Sequence, residues 1–321
     1  MVNRDGCYTT RCGCINELQV PSHTTYIYSK KLEERSRLVD SILADSDRHV
    51  DYVQVETVDE MNDIVKNVSS GCKFSLSAAD EIKGILMRPC TENIYLDASG
   101  LSVRILGPFL NAALQLSRKD RIRVCVVYAE PLRYKVEKFK EEGEYCDLAE
   151  KIRGIYPVAS LGQIGSFYDE SILVPMLGFE GGRFSHIVAN TDFPTKGIYP
   201  IIGVSGYRPE YPFVTYCGNR QPLLDEDAWS HVEFAMAGSV VDAFRKLCEI
   251  KDSYAASNTC IKIAPIGTKP HAIAALTFAC CFPKITEIIY DNPIRKQVRT
   301  KGVGTISVTC ISDLVNNYYA A

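Results

Sequence analysis

The sequence predicts an α/β protein built on a mostly parallel sheet. Segments rich in β-branched and aromatic residues alternate along the chain with segments of helical periodicity, at the spacing of βαβ units. The chain has 321 residues, enough for two subdomains or for one large α/β domain. The clearest unit spans residues 261–290, where a strand, a tight turn, a helix and a second strand follow one another.

The helix of that unit is predicted to be buried. Residues 261–264 form a short apolar strand, and Pro270 suits the first helical turn because its missing N–H would be unpaired there anyway. From residue 272 to 282 every side chain is apolar or small except Thr277, so the helix has no face suited to water. Residues 287–290 then indicate the next strand.

The first half of the fold is predicted over residues 23–130, after a loosely ordered N-terminus at residues 1–22. Its predicted strands are residues 25–29, 51–56, 93–98 and 121–128, and its predicted helices are residues 30–43, 58–68 and 101–116.

A charged, glycine-containing excursion over residues 131–168 precedes the second half, residues 169–321. Further strands are predicted at residues 171–178, 198–204 and 305–311, and further helices at residues 239–250 and in a segment ending at residue 188. This half carries the motifs GFEGGR (178–183), GYRPEYPF (206–213) and GTKPH (267–271).

Composition predicts a soluble protein of ordinary polarity. Hydrophobic residues make up 46% of the chain and charged residues 23%, and a net charge of −3 does not indicate a general nucleic-acid or membrane surface. There are 13 cysteines, most of them in apolar strands or helices, where a reduced cysteine acts as a small hydrophobic residue. Without a signal peptide or an apolar run of about 18 residues, the expected location is cytoplasmic, with reduced thiols and no membrane partner.

The N-terminal segment contains Cys7, Cys12 and Cys14, followed by His23. Zinc is one interpretation of these residues, but their spacing differs from the paired CxxC of zinc sites and no second pair follows. A loosely ordered N-terminus is the favoured interpretation.

Acidic residues follow several predicted strands. Asp97, Glu130 and Asp291 each lie at the carboxyl end of a strand, and in an open parallel sheet these ends share one rim. Such residues often only cap the following helix. As a set, together with Glu180, they offer the oxygen ligands that Mg²⁺ prefers, and so suggest a possible Mg²⁺ cofactor.

A second set of residues suits an anionic ligand. Gly267, Thr268, Lys269 and His271 are predicted to lie at a helix N-terminus, where backbone N–H groups, the helix dipole and a lysine attract phosphate or carboxylate. Aromatic and cationic residues in neighbouring segments can stack on a base or hold phosphate oxygens. The candidates in these segments, which also include one acidic residue and one amide, are Glu180, Arg183, Tyr207, Arg208, Asn219, Arg220, Arg295 and Arg299.

The chain resembles a group of bacterial Rossmann-like proteins associated with defence loci. The residues that carry the resemblance are ERS (34–36), YAEP (128–131), VPMLGFEGGR (174–183), GYRPEYPF (206–213), GNR (218–220), APIGTKPH (264–271) and YDNPIRKQVRTKG (290–302). More distantly, a strand followed by GTK and a helix is similar to the CARF family of CRISPR-associated sensors, which bind cyclic oligonucleotides on the sheet rim of a dimer. This chain differs from typical sensors in lacking a fused nuclease or winged-helix effector.

The resemblance implies a Rossmann-like fold with helices on both faces of the sheet, a homo-oligomer and a role in antiviral defence. One hypothesis is therefore a sensor or adaptor that binds a nucleotide-like anion and passes a signal to a protein partner from the same locus. The alternative is a metal-dependent phosphoesterase or nucleotide-processing enzyme that uses the strand-end carboxylates. A Ser–His–Asp hydrolase is disfavoured because the sequence contains no GxSxG elbow.

Overall fold

The structure, a computed structural model, is an α/β fold whose described residues form one mixed sheet, one parallel sheet and one antiparallel pair of strands. It divides into two compact units: Met1–Lys135 with Gln297–Ala321, and Val136–Lys296. The residues that it describes are 7–42, 49–134, 148–161, 168, 170–192, 194, 196–254, 259–295 and 300–320.

The first unit contains a mixed sheet of eight strands. Their order across the sheet is β1 (Thr9–Cys12), β15 (Thr300–Cys310), β7 (Arg123–Tyr134), β6 (Asn93–Asp97), β2 (Thr24–Tyr28), β3 (Val50–Asp59), β4 (Ile64–Asn67) and β5 (Lys73–Ser75). The four central strands β7, β6, β2 and β3 are parallel, while the strands on either side of them are antiparallel.

Four α-helices are described in this unit: α1 (Leu38–Ile42), α2 (Ala79–Leu86), α3 (Val103–Asp120) and α8 (Ile311–Ala320). The helix α3 begins where the Ser102 hydroxyl accepts a hydrogen bond from the Ile105 N–H, and it ends at Arg121, whose φ of 58° is left-handed. Most of its side chains are buried, in agreement with the apolar helix predicted over residues 101–116.

The second unit contains a sheet of five strands, all parallel. Their order is β11 (Glu233–Ala235), β10 (Ile201–Gly203), β9 (Glu170–Met176), β12 (Thr259–Pro265) and β13 (Thr286–Ile288). The described helices of the unit are α4 (Gly181–Asn190), α5 (Tyr211–Asp225), α6 (Val240–Ser253) and α7 (Lys269–Cys281). A separate antiparallel pair consists of β8 (Ala149–Ile152) and β14 (Pro293–Arg295).

The helix α7 is buried all round, as the sequence predicts. Every residue from Pro270 to Cys281 is buried. The Thr277 hydroxyl donates a hydrogen bond to the Ile273 carbonyl oxygen at 2.8 Å. It packs on α6, where Phe244 meets Phe278 edge to face.

The helix predicted over residues 58–68 is wrong. These residues form the end of β3, a turn and β4, which pair as antiparallel strands with Thr57 opposite Val65. The β-branched residues Val58, Ile64 and Val65 favour a pleated strand over a helix, and Lys66 pairs with Glu56 across the two strands at 3.1 Å.

Two boundaries also differ from the predicted ones. Residues 300–310 were assigned to the second half, yet β15 lies between β1 and β7 in the sheet of the first unit. The segment predicted as loosely ordered contains β1, which pairs with β15. Because both pairings join residues far apart in the chain, local sequence patterns do not indicate them.

Candidate ligand-binding site

The five-stranded sheet has a switch point between β9 and β12. From β9 the chain proceeds through β10 to β11 on one side, and then continues with β12 and β13 on the other side. The loops that follow β9 and β12 therefore lead away from each other at the carboxyl edge of the sheet. In open α/β sheets, ligands bind in the crevice outside this point.

The two loops at the switch point touch through their backbones. A Cβ added to Gly267 would lie 2.5 Å from the Leu177 carbonyl oxygen, and one added to Gly178 would lie 2.9 Å from the Ile266 carbonyl oxygen. Glycine is therefore required on both sides of this contact. We call these two loops the floor of the candidate site, and Gly178, Phe179, Gly267, Thr268 and Lys269 are its partly exposed residues.

The N-terminus of α7 lies at this floor, but few of its N–H groups remain for a ligand. Thr268 is the N-cap: its hydroxyl accepts from the His271 N–H at 3.4 Å and donates to the Ala237 carbonyl oxygen at 2.8 Å. Pro270 has no N–H. Attraction for an anion at this helix end thus depends on the helix dipole and on the partly exposed Lys269.

His271 lies beneath the site and does not reach its surface. The imidazole is fully buried, and its Nε2 is 3.1 Å from the Met236 carbonyl oxygen. Because the partner is a carbonyl, we assign the proton to Nε2, which leaves the buried Nδ1 without a hydrogen-bond partner. Burial lowers the pKa of His271 to about 4, so the side chain is neutral and cannot bind phosphate as a cation.

Arg183 and Asp291 form a buried ion pair. Arg183 Nε is 2.7 Å from Asp291 Oδ2 and Nη2 is 2.6 Å from Oδ1, while Nη1 donates to the Ile266 carbonyl oxygen at 3.0 Å. Glu180 Oε2 lies 3.6 Å from Arg183 Nη1, and Glu180 Oε1 accepts from the Leu148 N–H at 2.9 Å.

This arrangement fixes the roles of three predicted site residues. Arg183, Glu180 and Asp291 are buried and are held by one another, so they tie α4 to the segments that follow β12 and β13. A buried guanidinium needs carboxylate partners, since an unpaired buried charge is costly. The three residues support the rim of the sheet and do not line an open surface.

Residues of α5 and the loop before it complete the rim. Asn219 is fully buried and donates to the Gly178 carbonyl oxygen at 2.7 Å, while its Oδ1 has no hydrogen-bond partner. Arg220 is exposed. Arg208 is partly exposed in the loop, with its Nη1 3.5 Å from Glu210.

The predicted aromatic loop is shorter than its motif. Since α5 begins at Tyr211, only the first part of GYRPEYPF is a loop. Tyr211 packs edge to face on Phe179 with ring centroids 5.1 Å apart, which joins this helix to the floor of the site. Tyr207 is partly buried, with its ring against Gly238. Phe179 was not among the predicted site residues, although its position inside the GFEGGR motif could have indicated it.

The remaining carboxylates belong to the eight-stranded sheet. Asp97 is fully buried at the end of β6, where Oδ1 accepts from the Ser99 N–H at 2.9 Å and Oδ2 lies 3.4 Å from the Tyr26 hydroxyl. Burial raises the pKa of Asp97 to about 6. Glu130 is half-buried inside β7 and not at its end, and burial raises its pKa as well. Asp291, by contrast, belongs to the second unit.

Two predicted cations cannot be placed. Arg295 ends β14, but its side chain and the whole of Arg299 lie outside the described residues. Among the residues that the structure does describe, including Cys7, Cys12, Cys14 and His23, no group of three or more His, Cys, Asp or Glu side chains is placed to hold a metal ion. The described helices include none long and apolar enough to cross a membrane.

Comparison with known proteins gives no family for this chain. No protein-family model matches the sequence, and neither does any curated protein.

Proposed function

We propose that this protein binds a nucleotide-like anionic ligand at the carboxyl edge of its five-stranded sheet, as a sensor or component of a bacterial antiviral defence system. The strand order carries the proposal, because β9 and β12 create a switch point of the kind at which α/β proteins bind nucleotides. The loop glycines, the dipole of α7 and the side chain of Lys269 meet there. The defence role is supported by the sequence resemblance alone.

The same strand order supports a Rossmann-like architecture for this unit. Numbered along the chain from β9, the five strands have the order 3-2-1-4-5. Crossovers between parallel strands are right-handed, so α4 and α5 would cover one face of the sheet and α6 and α7 the other. The packing of α4 on α5 and of α6 on α7 supports that division.

The side chains that would contact the ligand are those that are partly exposed at this edge of the sheet. Lys269 and Arg208 are the partly exposed cations of the loops at this edge and would approach phosphate oxygens, while Phe179 or Tyr207 would pack against a base. Arg183, Asn219 and His271 would act beneath them by holding the loops in place. A nucleotide-sensing role of the CARF type would further involve a homo-oligomer and a protein partner in the cytoplasm.

The alternative metal-dependent phosphoesterase has weaker support. Both carboxylate oxygens of Asp291 accept hydrogen bonds from Arg183, so a cation there would compete with an existing ion pair. Asp97 is fully buried, and Glu130 does not end its strand.

The test is calorimetry with mononucleotides, dinucleotides and cyclic oligonucleotides on the wild-type protein, Lys269→Ala and Lys284→Ala. Lys284 is an exposed residue just beyond the other end of α7, so its substitution makes the same charge change at the opposite edge of the sheet. We expect Lys269→Ala to weaken binding at least about tenfold, or about 1.4 kcal/mol, and Lys284→Ala to leave it unchanged. Equal affinity in all three folded proteins would refute the site, and the absence of binding by any nucleotide would refute the function.

A further inference from the structure

Two cysteines of the first unit lie directly opposite each other on neighbouring strands. Cys125 of β7 and Cys310 of β15 are register partners in an antiparallel pair, and both are free thiols. Directly opposite Cα atoms in such a pair are about 4.5–5.5 Å apart, within the range of about 4.4–6.8 Å that disulfides span. A disulfide can therefore form here without separating or shifting the strands.

The surroundings of Cys310 favour its thiolate. Arg123 Nε donates to Cys310 Sγ at 3.3 Å, and the Ser312 hydroxyl lies 3.5 Å from the same sulfur. Cys310 also immediately precedes α8, so its sulfur is near the positive end of that helix. These are the electropositive surroundings in which cysteines become reactive.

The two thiols are inequivalent as a result. The neighbouring Cys125 thiol, followed by the hydrogen bonds with Ser312 and Arg123, lowers the pKa of Cys310, while burial and the nearby Asp313 carboxyl oppose the shift. The pKa of Cys125 is raised, first by the neighbouring Cys310 sulfur and then by burial, with Arg123 and the Tyr95 hydroxyl opposing. Cys310 is therefore the sulfur of the pair that loses its proton more readily, and Cys125 is the one that keeps it.

The pair lies just below the surface. Cys310 itself is 4% exposed, but the side chains of Arg123 and Asp313, which are 3.8 Å apart, are 54% and 48% exposed. Arg123, which donates to the Cys310 sulfur, is therefore itself open to solvent.

We propose that Cys310 and Cys125 form a peroxide-reactive dithiol that reversibly cross-links β15 to β7. Cys310 thiolate attacks one oxygen of hydrogen peroxide, so that an S–O bond forms, the O–O bond breaks and hydroxide leaves. The sulfur of Cys125 then attacks the sulfenic acid of Cys310: the S–S bond forms, the S–O bond breaks, and the proton from the Cys125 thiol accompanies the leaving oxygen as water. One thiolate, one thiol and one peroxide thus give one disulfide, one water and one hydroxide.

The test uses the intact, reduced wild-type protein and hydrogen peroxide at one equivalent, followed by alkylation and peptide mass spectrometry. We expect a cross-linked peptide pair joining Cys125 to Cys310 that disappears on treatment with dithiothreitol. Cys260 is the matched internal control, because it is equally buried at 5% exposure but burial raises its pKa to about 11. It is expected to remain a thiol.

Variants separate the roles of the two sulfurs. Cys125→Ser is expected to accumulate a sulfenic acid at Cys310, which dimedone traps, and Arg123→Met is expected to slow the loss of the Cys310 thiol at least fivefold. If either variant fails to fold, the wild-type protein still decides, since the Cys310 thiol should be lost at a lower pH than the Cys260 thiol, whose pKa is raised by burial. The proposal is overturned if Cys310 stays reduced while the exposed Cys72 and Cys90 are oxidised, or if Cys310 is oxidised no faster than Cys260.

Discussion

Burial keeps His271 neutral, and this makes the stability of the protein depend on pH. Its pKa is about 4 in the folded protein and about 6.5 in an unfolded chain. Between these values the unfolded chain binds a proton that the folded protein does not. The stability that the neutral imidazole contributes is therefore complete above pH 6.5 and is lost as the pH falls towards 4.

We expect the free energy of unfolding of both proteins to fall as the pH is lowered, and that of the wild type to fall more than that of His271→Gln. The additional loss is up to about 1.4 kcal/mol for each pH unit. Glutamine can still donate to the Met236 carbonyl oxygen but does not titrate. Urea unfolding of both proteins from pH 7 to pH 4.5 measures the difference. Parallel pH profiles would show that His271 is not held neutral.

Asp97 has the opposite dependence. Its pKa is raised from 3.8 to about 6, so between these values the folded protein holds a proton that the unfolded chain has released. The stability associated with the protonated carboxyl is present below pH 3.8 and is lost as the pH rises through 6.

Asp97→Asn removes this titration. We expect the stability of the variant relative to the wild type to increase by up to about 3 kcal/mol between pH 4 and pH 7, because asparagine never becomes a buried charge. The measurement is urea unfolding of both proteins across that range. A difference that does not change with pH would contradict the burial of an ionisable carboxyl at the end of β6.

The ion pair of Arg183 and Asp291 shows what the sequence can predict about single residues. Their positions beside strand ends identified them as important, and both lie at the rim of the five-stranded sheet. Their partners were not predictable, since 108 residues separate them in the chain and no local pattern shows that they pair. The sequence therefore placed these polar residues at the rim of the sheet, but it did not show which of them are buried in ion pairs.

At the scale of elements, close contacts between loops limit the residues that the rims of both sheets accept. A Cβ added to Gly100, which follows β6, would lie 1.7 Å from the Ser29 carbonyl oxygen, which follows β2. Gly84, inside α2, has no atom within 4 Å of such a Cβ. The two glycines form a matched pair for testing the contact.

We expect Gly100→Ala to destabilise the protein by at least about 2 kcal/mol, because the backbone must move to admit the methyl group. Gly84→Ala is expected to be neutral or to stabilise by up to about 1 kcal/mol, as alanine does inside a helix. Urea unfolding of both variants gives the comparison. Similar stabilities would mean that the loops after β2 and β6 are not in contact.

Elements were predictable where local pattern and burial agree. The helix α7 is apolar on every side, and β6 and β12 are short apolar runs bounded by turn residues, so all three were found from the sequence. The strand β4 was missed because it has only four residues, and the apolar residues at positions 58, 61, 64, 65 and 68 have helical spacing. The switch point that carries the site depends on strand order, which no single element reveals.

At the scale of the whole molecule, the second unit is inserted into the first. Val136–Lys296 lies in the chain between the two parts of the first unit. The second of these parts supplies β15, which lies between β1 and β7 in the eight-stranded sheet. The sequence predicted two halves in succession because it offers no signal that the last strand returns to the first sheet.

Ending the chain after residue 296 should therefore affect the two units differently. We expect β6 and β7 to lose protection from hydrogen exchange, because β7 loses its antiparallel neighbour, while β9 and β12 keep theirs within a sheet that is complete. Hydrogen exchange followed by mass spectrometry measures both, and a chain ending after residue 310, which lacks only α8, is the control. Loss of protection in β9 and β12 would contradict the independence of the inserted unit.

The pairing of β1 with β15 also sets the order in which a newly made chain can fold. Thr9 lies opposite Thr309, so 300 residues of synthesis separate the two strands. At about 5–20 residues per second, β1 leaves the ribosome about 15–60 s before the strand that it needs exists. All five strands of the parallel sheet in the inserted unit emerge during that interval. The unit that begins first is thus completed after the inserted one, and β1 and β7 have no β15 to pair with until that strand has been made.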